Sequence, residues 1–183
     1  TLNKNDLIFD MACGPGNIAE RIAKNWPFVN VVGIDGSKEM LNEAENRLSG
    51  NLTKNLSYKL IDINSIASGD INLPYKADVL VSNSALHHFH DPYCFWYALK
   101  KLGKTKSIHI HRDLIRPASL EKAFELKEKH LSNSPEILKK DFYASLKASF
   151  TVEEVSQQLV DAGLSHLEVF QIDELYFEII GCI

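Results

Sequence analysis

The sequence predicts an α/β protein with a doubly wound, mostly parallel sheet and helices on both faces. Three observations carry that expectation. Short apolar runs alternate with helical patterns from the start of the 183-residue chain. Some of those runs, Ala77–Ser82 above all, are apolar almost throughout, as strands buried on both faces must be. A glycine-rich turn, Cys13-Gly-Pro-Gly16, joins the first run to the first helical pattern, and doubly wound sheets bind ligands beyond the carboxyl ends of their strands.

Taken in order, Leu7–Met11 reads as a strand, Asn17–Trp26 as a helix and Val29–Ile34 as a second strand. Ser37 is a suitable N-cap for a helix to about Leu48, with Glu39 in the first turn where the helix dipole favours an acid. Leu56–Ile61 and Ala77–Ser82 are the third and fourth strands. Asp91-Pro92 supplies an N-cap and a proline at the first helical position, opening a helix to about Leu102. Ser107–His111 is a fifth strand. Residues 118–131 and 135–147 read as two helices, and Thr151-Val-Glu-Glu154 is a capping box for a third that ends at Gly163. The last two runs, His166–Ile172 and Leu175–Cys182, are separated only by Asp173-Glu174. So short a link forces a hairpin, and the final strand must run antiparallel.

The length suits one compact domain, 1–183. The chain is 45% hydrophobic and 24% charged with a net charge of −4, an ordinary soluble balance that argues against nucleic acid as a partner. Its one basic run, Lys100, Lys101, Lys104 and Lys106, reads as a solvated helix end. No stretch approaches the ~18 consecutive apolar residues of a membrane span, so no membrane partner is expected. Cys13, Cys94 and Cys182 form no CxxC pair, which fits a reducing, cytoplasmic compartment. The chain opens at Thr1 with a strand close behind, so an upstream segment is expected to be missing.

Gly14-Pro-Gly16-Asn-Ile-Ala19 fits the GxGxx(G/A) dinucleotide fingerprint, with Asp35 about 20 residues further on. That pattern alone also suits an NAD-dependent dehydrogenase. Asp10, at the carboxyl end of the first strand, argues otherwise. A carboxylate there repels a pyrophosphate by a few kcal/mol at about 4–6 Å and favours an ammonium or sulfonium group. No lysine follows Gly16, so the ATP phosphate loop is absent.

With these residues in view, the chain resembles the class I S-adenosyl-L-methionine (SAM)-dependent methyltransferases, of the small-molecule type. Ile8-Phe-Asp-Met-Ala-Cys-Gly-Pro-Gly-Asn17 is similar to their first motif, Val32-Gly-Ile-Asp35-Gly-Ser37 to the second and Leu60-Ile-Asp62-Ile63 to the third. Ala77-Asp-Val-Leu-Val-Ser-Asn83-Ser84, followed by Ala-Leu-His-His88, is similar to the fourth. Two departures stand out: Ala12 replaces a usual glycine, and Gly103-Lys-Thr-Lys106 replaces a usual Pro-Gly-Gly turn before strand five.

The resemblance implies a seven-stranded sheet in the order 3-2-1-4-5-7-6 with strand 7 reversed. It also implies methyl transfer from SAM to a small-molecule acceptor by in-line displacement, leaving S-adenosyl-L-homocysteine (SAH). Asp10 then faces the methionyl ammonium through a water, while Ala12, Gly14 and Gly16 allow close backbone approach. Asp35, beside Gly36 and Ser37, accepts from both ribose hydroxyls. Met40 packs beneath the adenine, Asp62 accepts from its amino group and the Ile63 amide donates to a ring nitrogen. Asn83 and Ser84 sit beside the sulfonium.

On the acceptor side, His87, His88 and His90 follow strand four, with His88 the candidate for orienting or deprotonating the acceptor. Asp113 and Arg116, after strand five, are candidates for the pocket rim, with an internal ion pair as the alternative. The helical insertion at about 117–148 is expected to cap the pocket, with Tyr143 either reaching in or packing on its own helix. No metal is expected, since the histidines lack HExxH spacing and paired cysteines. The oligomeric state is open, a homodimer included. A SAM- or nucleotide-binding module without turnover remains the alternative from another class.

Overall fold

Leu7-Ile-Phe-Asp-Met11 forms β1 at the centre of the sheet and leads through the glycine turn into α1 (Asn17–Asn25). In the computed structural model, which describes residues 1–48 and 53–183, β2 (Asn30–Asp35), α2 (Lys38–Leu48), β3 (Leu56–Leu60) and α3 (Ile63–Ser68) follow. Then come β4 (Ala77–Asn83), a 3-10 turn (Leu86–His88), α4 (Pro92–Leu102) and β5 (Gly103–Leu114). Helices α5 (Leu120–Leu131), α6 (Glu136–Ala148) and α7 (Val152–Asp161) precede the closing β6 (Glu168–Gln171) and β7 (Tyr176–Cys182).

The strands pair in the order β3-β2-β1-β4-β5-β7-β6. β1 to β5 are parallel, and β7 is antiparallel to both of its neighbours. Asp173 Oδ1 accepts from the amides of Leu175 and Tyr176, each at 2.8 Å, and so closes the hairpin turn that the short link required.

Alternation along β1 divides the core. Phe9 and Met11 join Ile34, Leu80, Phe95, Trp96, Leu99, Val155 and Leu159 on the face covered by α3, α4 and α7. Ile8 faces the other way, with Val31 and Val79 against Ala19 and Ala23 of α1. The one polar group of the fully buried Trp96 is satisfied, since its Nε1 donates to Gln158 Oε1 at 3.0 Å.

His109 and His111 also enter the core. A hydrogen-bonded ladder runs from Ser107 Oγ to His109 (3.1 Å), on to His111 (3.3 Å) and then to Ser82 Oγ (2.9 Å). Burial lowers His109 to about 4 and His111 well below its ordinary value, so both rings are neutral at neutral pH.

Two local findings depart from the sequence reading. Helix α3 went unforeseen because six residues are too few to show a helical period. Strand β5 is longer than Ser107–His111: Gly103 already pairs with Ala77, and a register shift follows before Val79. Gly103 suits that crowded start, where a Cβ would lie 2.4 Å from Ser107 Oγ. The basic run is exposed, with Lys100 and Lys101 in the last turn of α4 as expected of a solvated helix end; they donate to the carbonyls of Ala162 and Ala67, and Lys104 in β5 pairs with Asp78, all at 2.8 Å.

The helical insertion has a small core of its own, in which Ala123, Leu126 and Leu146 pack with Leu114 and Leu175. Tyr143 packs on this cluster with the Lys147 ammonium 4.8 Å from its ring centroid, so it belongs to its own helix. Helix α6 also packs against the 3-10 turn that follows β4. Among the described residues, no helix is long and apolar enough to cross a membrane.

Candidate active site at the carboxyl edge of the sheet

A cleft of about 940 Å³ opens where β1, β2 and β4 end, and the side chains of its rim come from the turns that follow these strands and from β3–α3. Volumes of roughly 300–1,000 Å³ hold drug-sized ligands, and this one lies at the upper end. Two residues on the cleft, Ala12 after β1 and Ser84 after β4, have positive φ (52° and 55°). Non-glycine residues held in that region tend to cluster at ligand clamps. The value at Ala12 also gives a physical reason for the glycine usual at that place.

Asp35 is the most organised group in the cleft. Its Oδ2 accepts from the Gly14 amide at 2.7 Å and its Oδ1 from the Ser37 amide at 2.8 Å. Both oxygens are thereby oriented while each keeps a lone pair for a ligand. Gly14 itself has φ +53°, and a Cβ built there would meet nothing within 4 Å, so the loop leaves open space above its backbone. Gly36 and Ser37 complete this corner, and Met40, 42% exposed, faces the cleft from α2 instead of joining the core.

Across the floor, Asp62 N-caps α3 by accepting from the Asn64 amide at 2.9 Å. Its second oxygen has no bond in the α3 cap, and Ile63 lies beside it on the cleft wall. Asn83 and Ser84 end β4 on the opposite side, where the Ser84 amide donates to the Arg112 carbonyl at 2.8 Å. His88 completes the far side, followed by Phe89, His90 and Asp91. Burial, and then the neighbouring His87, lower His88 from its ordinary 6.5, while Asp113 and Asp35 act in the other direction.

Four expected site residues are placed elsewhere. Asp10 lies beneath the loop, 1% exposed, and is not on the cleft surface. Its Oδ2 accepts from the Ala19 amide at 2.9 Å, the capping bond that Gly16 at the N-cap has no side chain to make. Burial raises its pKa to about 7; the Ala19 amide opposes that rise and the charge of Asp35 adds to it. Gly16 is a glycine because of Tyr58: a Cβ there would lie 2.1 Å from the phenol oxygen.

Asp113 does not reach the rim. It is 3% exposed and accepts from the Leu86 and Leu114 amides and His87 Nδ1. Arg116 borders a separate small hollow and pairs with Glu154 of α7, both side chains 40% exposed, so it is neither on the rim nor in an internal ion pair with Asp113.

The sequence reading missed Cys13, Pro15, Asn17, Ile18 and Asn64, which also line the cleft. Their position between the recognised residues was the available signal. Cys13 is held as a thiol, since burial and then the charges of Asp10 and Asp35 push its pKa up.

The chemistry of the cleft is compatible with SAM: a carboxylate held by two backbone amides, an open glycine backbone beside it and a thioether on the wall. Such a cleft on a 3-2-1-4-5-7-6 sheet defines the class I SAM-dependent methyltransferase architecture. A family model described as a methyltransferase domain matches residues 2–163, and the chain belongs to that family. Membership removes the dinucleotide-dehydrogenase reading of the glycine loop.

Among curated proteins, the chain is similar to trans-aconitate 2-methyltransferase of Rhodopseudomonas palustris (strain BisA53), 46% identical over 43 residues, 24% of this chain and 17% of that protein. An uncharacterised methyltransferase of Schizosaccharomyces pombe is 33% identical over 107 residues, 56% of this chain and 38% of that protein. The chain thus spans well under half the length of these relatives.

Among solved structures, a SAM-dependent methyltransferase from Aquifex aeolicus superposes with a TM-score of 0.71 at 18% identity, covering 100% of this chain and 85% of that one. The plantazolicin methyltransferase BpumL in complex with SAH gives 0.74 at 18% identity, covering 97% and 76%. These two show the shared fold.

Proposed function

We propose that the chain transfers a methyl group from SAM to a small-molecule acceptor seated beside His88. The observation that carries this reading is Asp35, its two oxygens fixed by the Gly14 and Ser37 amides and facing the same cleft that His88 closes. When bound, SAM supplies a methyl group on a sulfonium, whose bond breaks with its electron pair left on sulfur. Asp35 accepts from the ribose hydroxyls, Met40 and Ile63 enclose the adenine, and Asp62 accepts from its amino group. Asn83 and Ser84 border the reacting end. Asp10 contributes from below by capping α1.

His88 takes the proton that the acceptor loses. Its lowered pKa leaves the imidazole unprotonated and able to accept at neutral pH. Most of the remaining work is alignment at near-attack distance with water excluded. The charged residues on the cleft are Asp35, Asp62 and Asp91, with no lysine or arginine among its described lining residues. A phosphate backbone therefore finds no counter-charge there, which supports a small molecule over nucleic acid. The free cysteines fit work in the reducing cytoplasm.

The test is incubation with methyl-labelled SAM and a cell extract separated into metabolite, nucleic-acid and protein fractions. Label appearing in the metabolite fraction supports the proposal. Label confined to macromolecules, or none transferred by protein that binds SAH, contradicts it.

A further inference from the structure

His87 is nearly buried, lies off the cleft, and yet is tied to the residue on which the proposed chemistry depends. Asp113, near the end of β5, accepts three N–H groups: Leu86 N (2.6 Å) and His87 Nδ1 (2.6 Å) from the 3-10 turn, and Leu114 N (2.7 Å) from its own strand. Two of the three thus come from the turn that carries His88. The side chains of His87 and Asp113 are only 4% and 5% exposed, so water does not compete for this bond. Charge-assisted bonds of this length out of solvent are among the stronger ones available to a side chain.

The ring of His87 continues the chain. Its centroid lies 4.1 Å from that of His88, with the planes 39° apart. His88 is covered on this side by His87 and opens to the cleft on the other. The turn has little other freedom: the amides of His88 and Phe89 donate to the carbonyls of Ala85 and Leu86, and Ser84 is pinned to β5 just before it. Helix α6 packs against the same turn.

We propose that His87, clamped by Asp113, is a positioning residue that holds the His88 imidazole at the cleft edge in the orientation needed to take the acceptor's proton. This rests on the reading of the cleft as a methyl-transfer site. A flexible pair of histidines after β4 would sample several rotamers, and a base that is misdirected part of the time loses rate without losing affinity for the cofactor. The groups that bear on the His88 charge are His87 beside it, Asp113 behind His87, and Asp35 across the cleft.

The test compares wild type with His87→Asn and Asp113→Asn, using nitrogen-15 long-range spectra of the histidine rings across pH and calorimetric titration with SAH. His87→Asn retains an amide donor for Asp113 but removes the covering ring. His88 is then expected to titrate at higher pH and to lose its single tautomer, with SAH affinity unchanged. In Asp113→Asn, an amide in place of the carboxylate shifts His87 away from the Nδ1–H tautomer, and the His88 signal moves with it. With an acceptor from the labelled extract, both variants lose about tenfold in kcat at unchanged KM for SAM, a fraction of the 10²–10⁴-fold carried by a general base.

His88 signals that titrate identically in all three folded proteins overturn the proposal, as does an unchanged kcat. Failure of wild type to bind SAH would instead sink the reading of the cleft itself, so the two failures are distinct. Should His87→Asn not fold, the Asp113→Asn spectra decide alone.

Discussion

Replacing Asp35 by alanine tests the ribose corner of the cleft. The carboxylate is held by the Gly14 and Ser37 amides at 2.7 and 2.8 Å, so its oxygens need no reordering when a ligand arrives. In the SAM reading it accepts from two hydroxyls, and a hydrogen bond to a charged group contributes about 1.5–3 kcal/mol. Loss of both gives at least about 3 kcal/mol, or about a hundredfold in Kd at ~1.4 kcal/mol per tenfold. The two amides also lose their acceptor, which loosens the loop and adds to the deficit. Asp35→Asn keeps one carbonyl oxygen and should fall between alanine and wild type. Calorimetric titration with SAH reads the affinity, and a melting curve confirms the fold. Unchanged affinity in a folded Asp35→Ala protein would refute the assignment of this corner to the ribose.

Other expectations concern what holds the site up. Folding raises the Asp10 carboxyl from 3.8 to about 7, so the native state holds that proton more tightly than the unfolded chain. Its contribution to stability is complete below about pH 3.8 and is lost as pH rises through 7. Asp10→Asn keeps an acceptor for the Ala19 amide and should gain on wild type across that window, reaching a few kcal/mol above pH 7 by denaturant titration. His109 has the opposite sign: burial lowers it from 6.5 to about 4, so stability is present above 6.5 and is lost as pH falls toward 4. That loss amounts to about 3 kcal/mol, and His109→Gln should lessen it. The two loop glycines should separate in kind. Gly16→Ala meets Tyr58 and lowers the melting temperature, with overpacking costs of about 1–3 kcal/mol. Gly14→Ala meets no protein atom, so beyond the backbone strain of about 1–2 kcal/mol at its φ of +53° it should weaken SAH binding.

Most of the sheet was legible because its signals are local. Leu7–Met11 and Ala77–Ser82 read as buried strands from composition, and Asp91-Pro92 and Thr151–Glu154 marked helix starts through capping chemistry that needs only neighbouring residues. The hairpin followed from link length alone. The Asp35, Asp62 and Ser84 side of the cleft was legible for a similar reason, since each sits at the end or just beyond the end of a strand that the sequence already placed.

The surroundings of Asp113 and Arg116 were not, because they are defined by contacts across the sheet. Nothing near Asp113 in sequence reveals that its partners are Leu86 and His87, and nothing beside Arg116 announces Glu154. Asp10 is instructive in another way. Its position at the end of β1 suggested a group facing the ligand, yet it is buried and its hydrogen bond is to the α1 amide beneath the loop, which only the direction of its side chain could show.

A cleft built for SAM must bind it and its product in preference to a dinucleotide. Calorimetric titration of the purified chain with SAH, SAM and NADH in parallel tests it most directly. SAH and SAM are expected to bind one per chain, without competition from NADH. Binding of NADH with no response to either sulfur ligand would contradict it.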